Sequence, residues 1–84
     1  MNLKLYYYNQ CPFCQVVLRK IDSLDLQTHV DFCNTLEDEK CRDEHLQKTG
    51  RSTVPCLYID DDPMFESRDI VMWLEKNQSQ IKGE

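Results

Sequence analysis

Residues 11–14 read Cys-Pro-Phe-Cys, directly after a run, residues 3–8, in which Leu5, Tyr6, Tyr7 and Tyr8 stand in succession. That run is rich in strand formers and too short for a helix, so it predicts a buried strand. Pro12 falls at what would be the first position of a helix, where its missing N–H costs nothing. From Cys14 onward Val17, Leu18, Ile21 and Leu24 recur at helical spacing, with Arg19, Lys20 and Asp22 on the other side. The chain therefore opens as strand, turn and helix, with Cys14 on the core stripe and Cys11 outside it at the helix tip.

Residues 28–32 alternate, Val30 and Phe32 against His29 and Asp31, as a half-buried strand does. Asn34 followed by Glu37 predicts a capping box for a second helix, and Gly50 its C-terminal stop. The apolar content of that helix is little more than Leu36, Cys41 and Leu46, so its packing face must be narrow. Residues 54–59 predict another strand, with Pro55 near its start, where a strand tolerates proline. Residues 60–63 supply turn formers, Met64 and Phe65 a short last strand, and Ser67 the N-cap of a helix carrying Ile70, Val71, Trp73 and Leu74. The order is βαβαββα, an α/β fold with a four-stranded mixed sheet and helices on both faces. One domain spanning residues 1–84 accounts for the length, with no repeat or linker, and residues 77–84 read as a frayed tail.

Ten basic against fifteen acidic residues leave a net charge of -5, the wrong sign for nucleic-acid phosphates or anionic lipid. No run approaches the ~18 apolar residues of a membrane span, and the N-terminus lacks a basic region before an apolar stretch. The expectation is a cytoplasmic chain without nucleic-acid or membrane partners. With only Gly50 and Gly83, no glycine-rich phosphate loop can be drawn.

The five cysteines, Cys11, Cys14, Cys33, Cys41 and Cys56, are the informative excess. An odd count argues against a fully paired secreted scaffold. Cys33 and Cys41, with seven residues between them, do not form the second knuckle of a zinc site, so no metal is expected. A thiolate is the reactive form of cysteine, favoured where unpaired N–H groups and the positive end of a helix dipole meet the sulfur. Cys11 is placed for this. Cys14, one turn later and facing the core, is placed to resolve a mixed disulfide formed on Cys11.

These residues resemble the glutaredoxins, dithiol members of the thioredoxin superfamily. The likeness runs from Leu3 to Leu74 and rests on the Cys-Pro-Phe-Cys after the first strand, on Thr53, Val54 and Pro55, and on residues 65–70 before the last helix. It implies that Pro55 is cis and lies against the active-site cysteines, with the N–H and C=O of Val54 pairing with the cysteinyl backbone of glutathione. It also implies that the γ-glutamyl carboxylate docks at the N-terminus of the last helix, beside Ser67 and Arg68, with Asp69 on the ammonium group.

Three features depart from that pattern. Where the family has a Gly-Gly pair this chain reads Glu66-Ser67, which looks more like the glutathione-binding half of glutathione transferases. Tyr8 replaces a lysine expected for the glycyl carboxylate, and Arg51 is the substitute candidate. Phe13 stands where tyrosine is common, keeping the ring without the hydroxyl. A conjugating transferase is expected to need an added helical domain for its second substrate.

Cys33, Cys41 and Cys56 read as small core or surface residues, with Cys56 notable for following Pro55. His45, four residues after Cys41, shares its helix face, but two ligands do not make a metal site. Trp73 and the tyrosine run read as core, and the aspartates at 60–62 as a solvated turn. The expected activity is that of a monomeric thiol-disulfide oxidoreductase with no bound cofactor. It would use glutathione as co-substrate and act on disulfide or glutathionylated proteins, with glutathione reductase supplying electrons indirectly. Two alternatives stand beside it: a redoxin reduced by a thioredoxin-reductase-type flavoprotein, and a carrier bridging a [2Fe-2S] cluster through Cys11, against which Pro12 counts.

Overall fold

The computed structural model describes residues 1–83. Its elements are β1 (Leu3–Tyr7), α1 (Pro12–Ser23), one 3₁₀ turn (Gln27–His29), β2 (Val30–Asn34), α2 (Glu39–Thr49), β3 (Cys56–Ile59), β4 (Asp62–Met64) and α3 (Ser67–Lys82). The strands form one sheet in the order β2-β1-β3-β4. β2 runs parallel to β1, while β3 and β4 pair antiparallel with their neighbours. This is the expected mixed α/β sheet.

Alternation along β1 divides the interior in two. Leu3 and Leu5 join Val30 and Leu57 against Val17 and Ile21 of α1 and Ile70, Leu74 and Ile81 of α3. Tyr6 belongs to a smaller cluster on the α2 side, with Cys33, Cys41, Cys56 and Tyr58. Each fully buried aliphatic side chain in the first layer contributes about 1.5–3 kcal/mol relative to exposure.

Several boundaries differ from the sequence expectation. Asn34 Oδ1 does accept the N–H groups of Leu36 and Glu37, but this closes a turn after β2. The helix cap is Asp38, whose carboxylate accepts from Lys40 N–H, so α2 begins at Glu39. Gly50 ends it in the left-handed region at φ 73, its N–H returning to Leu46 O at 2.7 Å. The narrow face of α2 is Cys41 and His45; Leu36 and Leu46 are 62% and 46% exposed.

The second strand starts two residues late because Gln27–His29 curls into a 3₁₀ turn, and the third starts at Cys56, after Pro55. Pro63 belongs to β4, and Phe65 lies beyond it. α3 does not fray at Asn77: Ile81, seven residues after Leu74 and so on the same face, is buried in the main core and carries the helix to Lys82. Of the expected tail, Glu84 lies outside the described residues. No helix among them is long and apolar enough to cross a membrane.

Candidate functional site

Three connections meet at one end of the sheet. β1 runs toward it and hands over to α1 through Cys11. β3 runs the other way, so its first residue, Cys56, pairs with Tyr6 near the end of β1. β4 returns toward the same end, Met64 opposite Leu57, and leads into α3. Residues 11–14, 53–55 and 65–67, distant in sequence, therefore become neighbours.

Cys11 is the N-cap of α1, extended at φ -84 and ψ 119, with Pro12 beginning the helix. Its Sγ accepts the Cys14 N–H at 3.4 Å, which sets the sulfur at the N-terminal end of the helix. It is only 7% exposed, so the tip is more enclosed than the sequence suggested. Cys14 is fully buried, and that burial pushes its thiol up to about 12, against a weaker opposing effect of a backbone hydrogen bond with Tyr8. Both are free thiols.

Beside them lies a groove of about 190 Å³ lined by Phe13, Thr53, Val54, Pro55, Phe65, Glu66 and Ser67. Phe13, Thr53, Val54, Pro55 and Ser67 were expected there, and the Val54–Pro55 bond is cis as the resemblance implied. Ser67 is the first residue of α3; the cap position is Glu66, without a side-chain cap. Arg68 and Asp69 sit in the first turn of α3 and do not line the groove. Arg51 stands at its margin, the guanidinium 4.7 Å from the centroid of the Phe65 ring. Phe65 and Glu66 were missed as lining residues. The signal was the short passage from the last strand into a helix, which puts both at a helix N-terminus.

Residues 5–82 match the family model described as the N-terminal domain of glutathione S-transferase. The chain belongs to that family. Among solved structures it resembles an epsilon-class glutathione S-transferase from the housefly Musca domestica, with 25% identity and a TM-score of 0.71, covering 94% of this chain and 36% of that one. Isozyme E7 from Drosophila melanogaster is 26% identical, with the same score and coverage. A transferase from the Antarctic clam Laternula elliptica reaches a TM-score of 0.74 at 23% identity, over 96% of this chain and 37% of that one, a likeness of fold. The chain thus spans a little over a third of the length of these transferases. Comparison with curated proteins finds no match.

The thioredoxin-like superfamily expected from Cys11–Cys14 and Pro55 stands, but the family within it is the transferase N-terminal domain rather than glutaredoxin. The residues that carried this distinction were Glu66 and Ser67, which both line the groove of this transferase-type domain.

The other cysteines divide. Cys33 and Cys41 form a disulfide with Cα atoms 5.5 Å apart, tying β2 to α2, where separate small side chains were expected. Register brings this about: Cys33 pairs with Tyr6, on the side of the sheet that α2 covers. Cys56 is free and fully buried, and burial pushes its thiol up to about 12. With Cys41 bridged and His45 Nε2 2.8 Å from Thr53 O, the Cys41–His45 pair is not a metal site, and no group of three or more ligating side chains occurs among the described residues. A larger cavity, about 440 Å³, opens at the opposite end of the sheet. Its lysines are engaged, Lys4 with Glu44 and Lys48 over the Tyr58 ring.

Proposed function

We propose that this domain binds glutathione in the groove and carries out thiol-disulfide exchange at Cys11. The observation that carries the reading is a pair of free thiols on the first turn of α1, one capping the helix next to the groove and the other buried one turn below. Membership in the glutathione S-transferase N-terminal domain family supports glutathione as the ligand.

In this reading Val54 offers its backbone to the cysteinyl residue of glutathione, with Thr53 beside it and Phe13 and Pro55 as apolar walls. The γ-glutamyl carboxylate meets the N-terminus of α3 at Ser67 and Arg68, Asp69 takes the ammonium group, and Arg51 takes the glycyl carboxylate. The Cys11 thiolate attacks the glutathione sulfur of a glutathionylated protein, forming a Cys11–glutathione disulfide and releasing the protein thiolate. A second glutathione thiolate then attacks that disulfide, giving oxidised glutathione and regenerating the Cys11 thiolate. Glutathione reductase returns the oxidised product to the pool.

A second reading, conjugation of glutathione to an electrophile, is favoured by the family match and the transferase neighbours. The test is NADPH-coupled reduction of a small glutathione mixed disulfide, with glutathione and glutathione reductase, for wild type, Cys11→Ser and Cys14→Ser. Turnover lost in Cys11→Ser and kept in Cys14→Ser is the expected result. An inactive wild type that instead conjugates chlorodinitrobenzene would establish the second reading, and reduction only by thioredoxin reductase would replace the electron donor.

A further inference from the structure

His45 is 1% exposed and takes no part in the exchange chemistry, yet from α2 it reaches two groove-lining residues, Thr53 through Nε2 and Phe65 ring to ring at 6.0 Å between centroids. Its Nε2 lies 2.8 Å from Thr53 O. A carbonyl oxygen only accepts, so Nε2 carries the proton and donates. Nδ1 has no hydrogen-bond partner among the described residues. The ring is held flat on Tyr6, with centroids 4.8 Å apart and planes at 15°, and Tyr58 meets it edge-on. One turn earlier, Cys41 is bonded to Cys33. The imidazole is thus fixed by its neighbours before it meets Thr53.

The carbonyl of Thr53 and the N–H of Val54 belong to one planar trans peptide unit, in which C=O and N–H point in opposite directions. Holding Thr53 O against α2 therefore turns Val54 N–H away from α2. Thr53 and Val54 both line the groove. We infer that His45 is a positioning residue: its hydrogen bond to Thr53 O sets the peptide plane from which Val54 presents its N–H to the backbone carbonyl of a peptide-like ligand. This rests on the reading of the groove as a glutathione site, but the fixing of the peptide plane can be tested without ligand.

His45→Phe keeps a ring for Tyr6 to stack on and removes the donor, whereas His45→Gln keeps a donor near the position of Nε2. In His45→Phe, amide hydrogen exchange across residues 52–56 should rise at least tenfold, and the affinity for S-methylglutathione, measured by calorimetry, should fall about tenfold. His45→Gln should restore most of both, which a purely structural role would not require. Tyr6→Phe, which loosens the same cluster but leaves the Thr53 contact, should leave exchange at 52–56 within about twofold of wild type. Unchanged exchange in His45→Phe, or equal losses in the Phe and Gln variants, would overturn the inference. If the Phe variant does not fold, nitrogen NMR of the wild type decides: a His45 ring protonated at Nε2 with slow proton exchange supports it, and one protonated at Nδ1 alone refutes it. A wild type that binds no S-methylglutathione removes the glutathione reading, while the exchange and NMR results still decide the role of His45.

Discussion

With its thiol pushed up to about 12 by burial, Cys14 is protonated at neutral pH, while Cys11 caps the helix and takes the Cys14 N–H at 3.4 Å. Nucleophilic reactivity follows the thiolate fraction, so alkylation by iodoacetamide at pH 7 should modify Cys11 first. Cys14 and Cys56 should lag by more than about a hundredfold. Labelling of Cys14 should then climb about tenfold per pH unit until the pH nears 12, readable by mass spectrometry of quenched samples. Comparable labelling of Cys11 and Cys14 at pH 7 would contradict this division. The placement of both sulfurs was legible in the sequence, because Pro12 fixes where the helix starts. The Cys33–Cys41 bond could not, since it depends on Cys33 pairing with Tyr6 and on which side of the sheet α2 covers.

α2 shows how few contacts can hold a helix. Its buried residues are Cys41 and His45, and its polar anchor is Glu44, whose carboxylate accepts from Lys4 Nζ at 2.6 Å and from the Tyr6 hydroxyl. The Lys4 and Tyr6 hydrogen bonds hold the Glu44 carboxyl below its usual range, but both partners of the Lys4 ion pair are partly exposed, so the pair contributes under about 1 kcal/mol. The disulfide should dominate. Closing so short a loop restricts the unfolded chain by about 2 kcal/mol, so the Cys33→Ser, Cys41→Ser double variant should lose roughly that in urea unfolding. Its α2 amides should exchange faster while those of α1 and α3 hold. The sequence misjudged this helix because Asn34 and Asp38 are both good caps, and Asn34 serves the turn instead. In β2 the strand runs Val30–Asn34 rather than 28–32, and Phe32, expected inward with Val30, is 37% exposed while Val30 and Cys33 are buried.

Across the fold, stability should fall in alkali before other causes intervene. Cys14 and Cys56 are both pushed up to about 12, and burial also raises the buried hydroxyls of Tyr6 and Tyr58. A group held above its unfolded value favours the folded chain fully below that unfolded value, here about 9 for a thiol. The stabilisation then drains as pH rises to about 12. Each buried thiol lowers the stability progressively across that window. Urea midpoints should therefore be flat from about pH 6 to pH 9, above the range in which Glu44 protonates, and decline beyond pH 9, less steeply in Cys56→Ala than in wild type once both are normalised at pH 7. The βαβαββα order was readable because hydrophobic period changes from element to element. The last two turns of α3 were not, since residues 77–80 are all polar and the buried residue that follows them is Ile81.

The order β2-β1-β3-β4 leaves β4 as an outer strand, and its composition guards against templated self-association. A further strand adding alongside Asp62–Met64 would meet Pro63, which has no N–H to offer, and a cluster of negative charge from Asp60, Asp61 and Asp62. This border of the sheet is closed to fibril-like growth without a covering helix, leaving Val30–Asn34 as the edge along which another chain could add.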